Sequence, residues 1–365
     1  MGLLANCRRS LLLSIVALLW IDSSSSESTQ FTLSRAEKPV HAYIAVCVLA
    51  KNEHLYIREF IRYHHWIGID KFYIWDNQSR PPLADVLQDH VASSLVELVY
   101  FSDSWRADAA LFPSMYNTST RTFMSPQAWA YDNCFRMFGH RHTFLALLDP
   151  DEFLVLKQPS PPQQQPAAAA ALAAAAPHLP TFLAQYEPYG GLVVHWQLVG
   201  PSGHVRRPNG STMESYTQCV PRASLQRWTL FRAIPLGFLK SITATRCYQQ
   251  GCNPHLCDLK PGCKYVNEAF LEPSAPVVRA LQWDRIAVFH YATRSAEDYK
   301  AKMVRGSGHS QFLEANRALK RTHRGWRYFN LVNDTATDTC LEGKQAWERC
   351  CAGKRDVMED AAGKV

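Results

Sequence analysis

The chain has 365 residues, 47% of them hydrophobic and 19% charged, with a formal net charge of +7 and a pI near 8.8. This is an ordinary globular composition, long enough for a large core and even for two domains. The positive charge suits an anionic ligand such as a nucleotide, but no long basic block gathers it, which argues against nucleic acid as a partner.

The first elements bear on compartment. Arg8 and Arg9 precede an apolar run from Leu11 to Ile21, broken only by Ser14. A basic flank and a short apolar segment predict a secretory signal peptide or a short signal-anchor over residues 1–21. A polar, Ser-rich stem over 22–40 follows, and the body is expected in the secretory lumen. Eleven cysteines fit an oxidising lumen. Cys247, Cys252, Cys257 and Cys263 crowd round His255 without the paired C-x₂-C of a zinc site, so disulfides are expected there. Cys47 lies in a strand-like run and is expected to be a free core residue. Adjacent Cys350 and Cys351 are expected to serve a bridge in the tail. Glycosylation sequons begin at Asn77, Asn117, Asn209 and Asn333.

Along the body, Ala42–Ala50 is a continuous apolar run of strand length. Tyr56, Phe60, Tyr63 and Ile67 recur at helical spacing, with Gly68 placed to end the helix. Lys71–Asp76 reads as the second strand, PPLADVLQDH as the second helix and Leu95–Phe101 as the third strand. Ser125–Gly139 reads as a helix leading into an apolar run, Thr143–Leu148. Alternation of nearly all-apolar strands with helices predicts a Rossmann-like α/β fold, a mostly parallel sheet with helices on both faces. Ligands of such sheets lie beyond the carboxyl ends of the strands. Lys51–Glu53, Asp76–Ser79 and Asp149–Glu152 therefore converge on one edge. Gln158–Pro180 is a low-complexity Pro/Gln/Ala tract, read as a surface-loop insertion with no apolar face for the core. Regular structure resumes at TFLAQYEPYGGLVVHW.

The segment LLDPDEF places Asp149, Asp151 and Glu152 at a strand end. Carboxylates two apart there point to the same side and can share one hard cation, Mn²⁺ or Mg²⁺. Such an ion would neutralise charge developing on a phosphate leaving group. The other reading is an acidic strand end in water. Five blocks in order, AKNEHLYIREFIRYHHWIGIDKFYIWDNQS, QAWAYDNCFR, LALLDPDEFLVL, HWQLVGPSGHVRRPNG and FHYATRSAEDYKAKMVRGSG, resemble glycosyltransferase family 92 and related GT-A-fold enzymes over about residues 42–310.

That resemblance implies a GT-A-like domain over 41–310, with an insertion at 158–180 and a C-terminal extension over 311–365. It implies a metal-dependent, inverting hexosyltransferase. The sugar would pass from a nucleotide sugar, a UDP-sugar with UDP-galactose the first candidate, to a glycan or glycoconjugate acceptor. The expected setting is the Golgi lumen, with the membrane touched only through an uncleaved N-terminus. Asn52, Glu53, Asp76 and Asn77 would hold the base and ribose, although Asn77 and Ser79 could equally form an Asx turn before Pro81. Asp149 and Asp151 resemble the DXD metal pair, and His290 a third metal ligand, or else a buried structural histidine. Gly200 and Gly203 would let backbone approach the acceptor sugar. Glu214 is the candidate base and Glu268 its competitor. Lys302 and Arg305, three apart on a helix, would clamp phosphates. Gln127, Asp132 and Arg136 lie on the preceding helix, where Asp132 and Arg136 could simply pair. A lumenal carbohydrate-binding protein that has lost transfer is the rival reading, its 10 Trp and 15 Tyr able to stack on sugars. A glycosidase is a third, needing two carboxyls about one glycosidic bond.

Overall fold

The computed structural model describes residues 42–101, 116–117, 122–123, 125–157, 177–232, 239–273, 281–306 and 325–351. The expected signal segment and stem, most of the 158–180 insertion, and residues 311–324 and 352–365 of the expected extension lie outside these. In chain order the first half holds β1 Ala42–Ala50, α1 Ile57–Trp66, β2 Lys71–Asp76, α2 Ala84–Ala92, β3 Val96–Tyr100, β4 Tyr116–Asn117, β5 Thr122–Phe123, α3 Pro126–Phe138, β6 His142–Leu147, β7 Glu152–Leu156 and α4 Leu179–Leu183. The second half holds β8 Gly191–Leu198, α5 Thr212–Ser215, β9 Gln218–Cys219, α6 Arg222–Arg232, β10 Leu239–Ala244, β11 Tyr248–Cys252, β12 Cys257–Leu259, β13 Tyr265–Val266, β14 Ile286–His290, α7 Ala296–Arg305, α8 Trp326–Thr335, β15 Asp338–Thr339 and α9 Glu342–Cys351.

Nine strands form one sheet in the order β3-β2-β1-β6-β10-β8-β14-β7, with β13 beside β8. The pairs β3-β2, β2-β1 and β1-β6 are parallel, as the alternation of strands and helices predicts. In the other half β14 and β13 run parallel to β8, but the sheet as a whole is mixed rather than purely parallel. Strand β10 runs antiparallel to both β6 and β8, and β7 antiparallel to β14. The reason is connectivity. Only four residues separate β6 from β7, too few for the crossover a parallel neighbour needs. The chain therefore reverses there, and β7 pairs at the opposite end of the sheet.

Two apolar clusters cover the two faces. Ile44, Val46 and Val48 of β1 pack with Ile57, Phe60 and Ile61 of α1 and Leu87 of α2. Ala45, Cys47 and Leu49, the alternate residues, pack with Trp129, Cys134 and Phe135 of α3. This period of two is what a strand buried on both sides requires. Helix α1 ends where the chain turns through Gly68, whose φ of 101° a side chain would resist. Ser125 caps α3 by accepting the Ala128 N–H at 3.1 Å.

Cys47 is not free. It joins Cys134, fastening α3 to β1 through the second cluster. An apolar run looks the same whether or not a cysteine within it has a partner on the covering helix. The crowded segment forms Cys247–Cys263 and Cys252–Cys257, disulfides as expected, while His255 meets the Leu239 carbonyl. Cys350 pairs with Cys351. Cys219–Cys340 ties the C-terminal part to the body, where β15 pairs with β9 and Val332, Ala346 and Trp347 enter the main core. These bridges indicate an oxidising compartment. No helix among the described residues is long and apolar enough to cross a membrane. Of the sequons, Asn77 is buried, whereas Asn209 and Asn333 are exposed.

Candidate functional site

The acidic turn between β6 and β7 crosses the sheet at the carboxyl end of β6. Pro150 keeps Asp149 out of the helical region. The Glu152 N–H closes the turn on the Asp149 carbonyl at 3.0 Å, and the Tyr291 N–H pins the Asp151 carbonyl at 2.9 Å. These bonds turn the two aspartates into different surroundings. Asp149 accepts from Tyr131 Oη at 3.0 Å, from Gln127 Nε2, and from Lys240 Nζ at 3.0 Å. Asp151 meets Lys302 Nζ at 2.5 Å. His290, opposite Glu152 in the β14–β7 register, has Nε2 3.7 Å from Asp151 and Nδ1 3.9 Å from Glu152.

Beside Asp151 opens a cleft of about 450 Å³. Its walls are the turn after β1 (Glu53 and Tyr56), Arg207 from the loop after β8, and Arg294, Lys302 and Arg305 from the start and one face of α7. Each cation faces a carboxylate. Arg305 and Arg294 pair with Glu53, Arg294 at 3.5 Å, and Arg207 pairs with Asp298 at 2.7 Å. The Arg294 guanidinium lies 3.5 Å from the centre of the Tyr56 ring, a cation–π contact. The Arg207 loop is held to α7 by Ala296 N–H to His204 O and Glu297 N–H to Val205 O.

Burial sets the protonation of this cluster. Burial alone would raise the Asp151 carboxyl, but the Lys302 ammonium and the Arg294 guanidinium hold it below its usual range. Burial likewise opposes ionisation of Asp149, and Lys240 overcomes it. Glu152, deeper and beside two other carboxylates, is pushed well above the carboxylate range, so it is the protonated member. Burial takes His290 down to about 3, leaving its imidazole neutral.

The sequence-predicted residues divide. Glu53, Asp151, Lys302 and Arg305 line the cleft. Asn52 also reaches its edge, but its Oδ1 accepts the Arg80 N–H and its own N–H goes to Ser79 Oγ, both at 2.8 Å. Asp76 accepts the Ser79 and Leu83 N–H groups at 2.9 Å, and Asn77 is buried beside it, so this turn is closed by the Asp76 carboxylate rather than by the Asn77 side chain named in the Asx reading. Gly200 packs against Ala336, where an added Cβ would come within 2.5 Å, while Gly203 stands in open space with φ 77°. Asp132 pairs with Arg136 at 2.7 Å.

Neither candidate base lines the cleft. Glu214 is exposed in a capping box with Ser211. Glu268 is buried and accepts three successive backbone N–H groups, of Asp284, Arg285 and Ile286. Nor are Asp149, Asp151 and His290 gathered about one point. Among the described residues no three acidic, His or Cys side chains are placed to hold a metal ion. Each aspartate has an ammonium where a cation would sit, so the side chains as arranged do not fit the expected ion.

Sequence reasoning gave no role to Arg207, Lys240 and Arg294, and read Tyr56 only as part of a helix's apolar spacing, whereas it precedes that helix and lines the cleft. Arg207 and Arg294 lie inside the quoted blocks HVRRPNG and FHYATRS, so a signal existed. Lys240 sits in LKSITA, and nothing in those letters announces a lysine buried between two carboxyl groups.

The sequence profile of Glycosyltransferase family 92 matches residues 42–165. That stretch, well short of half the chain, runs from β1 through the acidic turn and β7. The resemblance to the family is therefore shown there, and it supports a glycosyltransferase. The cations Arg207, Lys240, Arg294, Lys302 and Arg305 lie beyond the matched stretch. No curated protein matches the chain.

Proposed function

We propose that this chain is a glycosyltransferase of the family-92 kind on a GT-A-like fold. It moves a sugar from a nucleotide sugar, a UDP-sugar first, to a glycan acceptor with inversion, in the Golgi lumen. The observation that carries the reading is the cleft. It opens beside the carboxyl ends of β1 and β6, where α/β sheets bind ligands, and Arg207, Arg294, Lys302 and Arg305 converge on it. Fixed cations stabilise the charge that builds on a departing diphosphate.

Inversion needs one carboxylate to take the proton of the attacking hydroxyl. Glu53, Asp151 and Asp298 are buried in ion pairs, whereas Glu297 is exposed at the rim and accepts the Arg207 N–H at 2.9 Å. Glu297 is our candidate for that proton acceptor.

The test is a screen of UDP- and GDP-sugars for hydrolysis by the purified chain, with and without Mn²⁺. Nucleotide release from a UDP-sugar is expected. Release from no donor, together with glycan binding, would replace this reading by that of a lumenal carbohydrate-binding protein.

A further inference from the structure

We propose that the positive charge for the donor's diphosphate is built into the chain. Lys302, Arg294 and Arg305 meet it directly, and donor binding needs no divalent ion. This rests on reading the cleft as the donor site.

Three observations support it. The first is that the cations are already in place. Lys302 and Arg305 are one turn apart on α7, and Arg294 precedes the same helix. Lys302 Nζ also donates to the Ala292 carbonyl at 2.9 Å, and Arg305 to the Lys51 carbonyl at 3.0 Å. Side chains fixed by such bonds lose little further freedom when a ligand arrives.

The second is that the acidic turn is neutralised from within. Lys240 bridges Asp149 at 3.0 Å and Glu152 at 3.1 Å, and its side chain is only 2% exposed. Lys302 neutralises Asp151. A divalent ion entering here would stand within a few ångströms of two ammonium groups, a repulsion that burial strengthens.

The third is that the present partners are exchangeable. Asp151 and Glu53 hold Lys302, Arg294 and Arg305 from the cleft wall, as a diphosphate would from its centre. Phosphate oxygens accept the same charge-assisted bonds, and guanidinium groups suit them in bidentate fashion. Binding would thus trade one set of anionic acceptors for another, with no ion required to bridge.

The experiment is calorimetric titration of the full chain. Pyrophosphate is used in EDTA, and UDP and GDP are used in EDTA and with MnCl₂. The proposal expects pyrophosphate and one nucleotide to bind in EDTA, with Mn²⁺ changing nucleotide affinity by less than about threefold. Lys302→Gln and Arg305→Gln should each weaken binding about tenfold or more, the scale of one charge-assisted bond. Lys344→Gln, on an exposed helix pair, should not. Circular dichroism and melting temperature show whether each variant is folded. Nucleotide binding that appears only with Mn²⁺ overturns the proposal, as does native affinity in folded Lys302→Gln. Pyrophosphate binding without either nucleotide keeps the clamp and removes the donor reading instead. Binding of nothing, by a folded chain, removes both.

Discussion

The two halves of the sheet are built on different principles. Strands β3, β2, β1 and β6 are parallel, apolar on both faces and covered by α1, α2 and α3. Strands β10, β8, β14 and β7 mix directions and bury Lys240, His195, His290 and Glu152. In the first half, Asp76 and Asn52 close turns at strand ends, and the cross-strand polar pairs, Lys71 with Glu97 and Tyr73 with His142, lie away from the cleft. In the second half, polar groups answer one another across strands. The cleft lies where the halves meet, one wall from the turn after β1 and the other from α7. A scaffold held by apolar burial can thus carry a charged site whose groups neutralise one another.

The largest expected effect falls on that junction. If Glu297 takes the acceptor's proton, Glu297→Gln should lower transfer about 10²–10⁴-fold while donor binding survives. Turnover near normal in a folded variant would return the base to another wall. The next effect concerns the mixed half. Lys240→Met leaves Asp149 charged with no ammonium, and removing one partner of a buried pair costs about 3–5 kcal/mol. Urea unfolding measures it. A loss below about 1 kcal/mol, the scale of an exposed pair, would mean that the buried network carries little stability.

Glu268→Gln sharpens the same contrast with a smaller change. Its carboxylate serves three N–H groups leading into β14, so stability should fall by about 1–3 kcal/mol. Transfer should stay near native. A large rate loss at native stability would place Glu268 in the chemistry after all.

The parallel half was legible because its signal is one-dimensional. Ala42–Ala50, Lys71–Asp76 and Ser125–Gly139 announce themselves by period and by caps, and their observed bounds agree with the reading to a residue at either end. The mixed half depends on contacts between distant segments. Strand β10 reads LKSITA, with no unbroken apolar run, and its pairing with β6 joins residues about a hundred positions apart. The acidic turn was legible and Lys302 was named for phosphate, but that Lys302 and Lys240 face that turn was not, since both come from far along the chain. The disulfide of Cys47 was hidden for the same reason.

His64 tests how the halves are joined. It lies on α1, fully buried, with Nδ1 at the Phe60 carbonyl, Nε2 receiving the Leu154 N–H of β7, and its ring stacked on Phe153. Nε2 accepts, so the imidazole is neutral, and burial takes its pKa from 6.5 down to about 3. Between those values the unfolded chain binds a proton that the native chain does not. This contribution is therefore present above pH 6.5 and lost as pH falls towards 3, by about 1.4 kcal/mol per pH unit at its steepest. His64→Gln should flatten the stability profile in that window. An unchanged slope would assign the acid sensitivity elsewhere.

The smallest effect is expected at Glu214. Order along the chain makes it the base, but it stands exposed on α5, where its Oε2 meets Ser211 Oγ at 2.7 Å and the Ser211 N–H at 3.2 Å. The Glu214 N–H returns a bond to Ser211 Oγ at 3.2 Å. Glu214→Gln keeps an acceptor for the capping box and removes one charge near a helix start, an effect of about 0.3–1 kcal/mol. Transfer should be unchanged, because Glu214 does not line the cleft. Rate and stability measured on one preparation separate the alternatives. A rate loss of about 10² or more at native stability would mean that α5 swings to the acceptor when substrate binds, and the proton would then belong to Glu214 rather than Glu297.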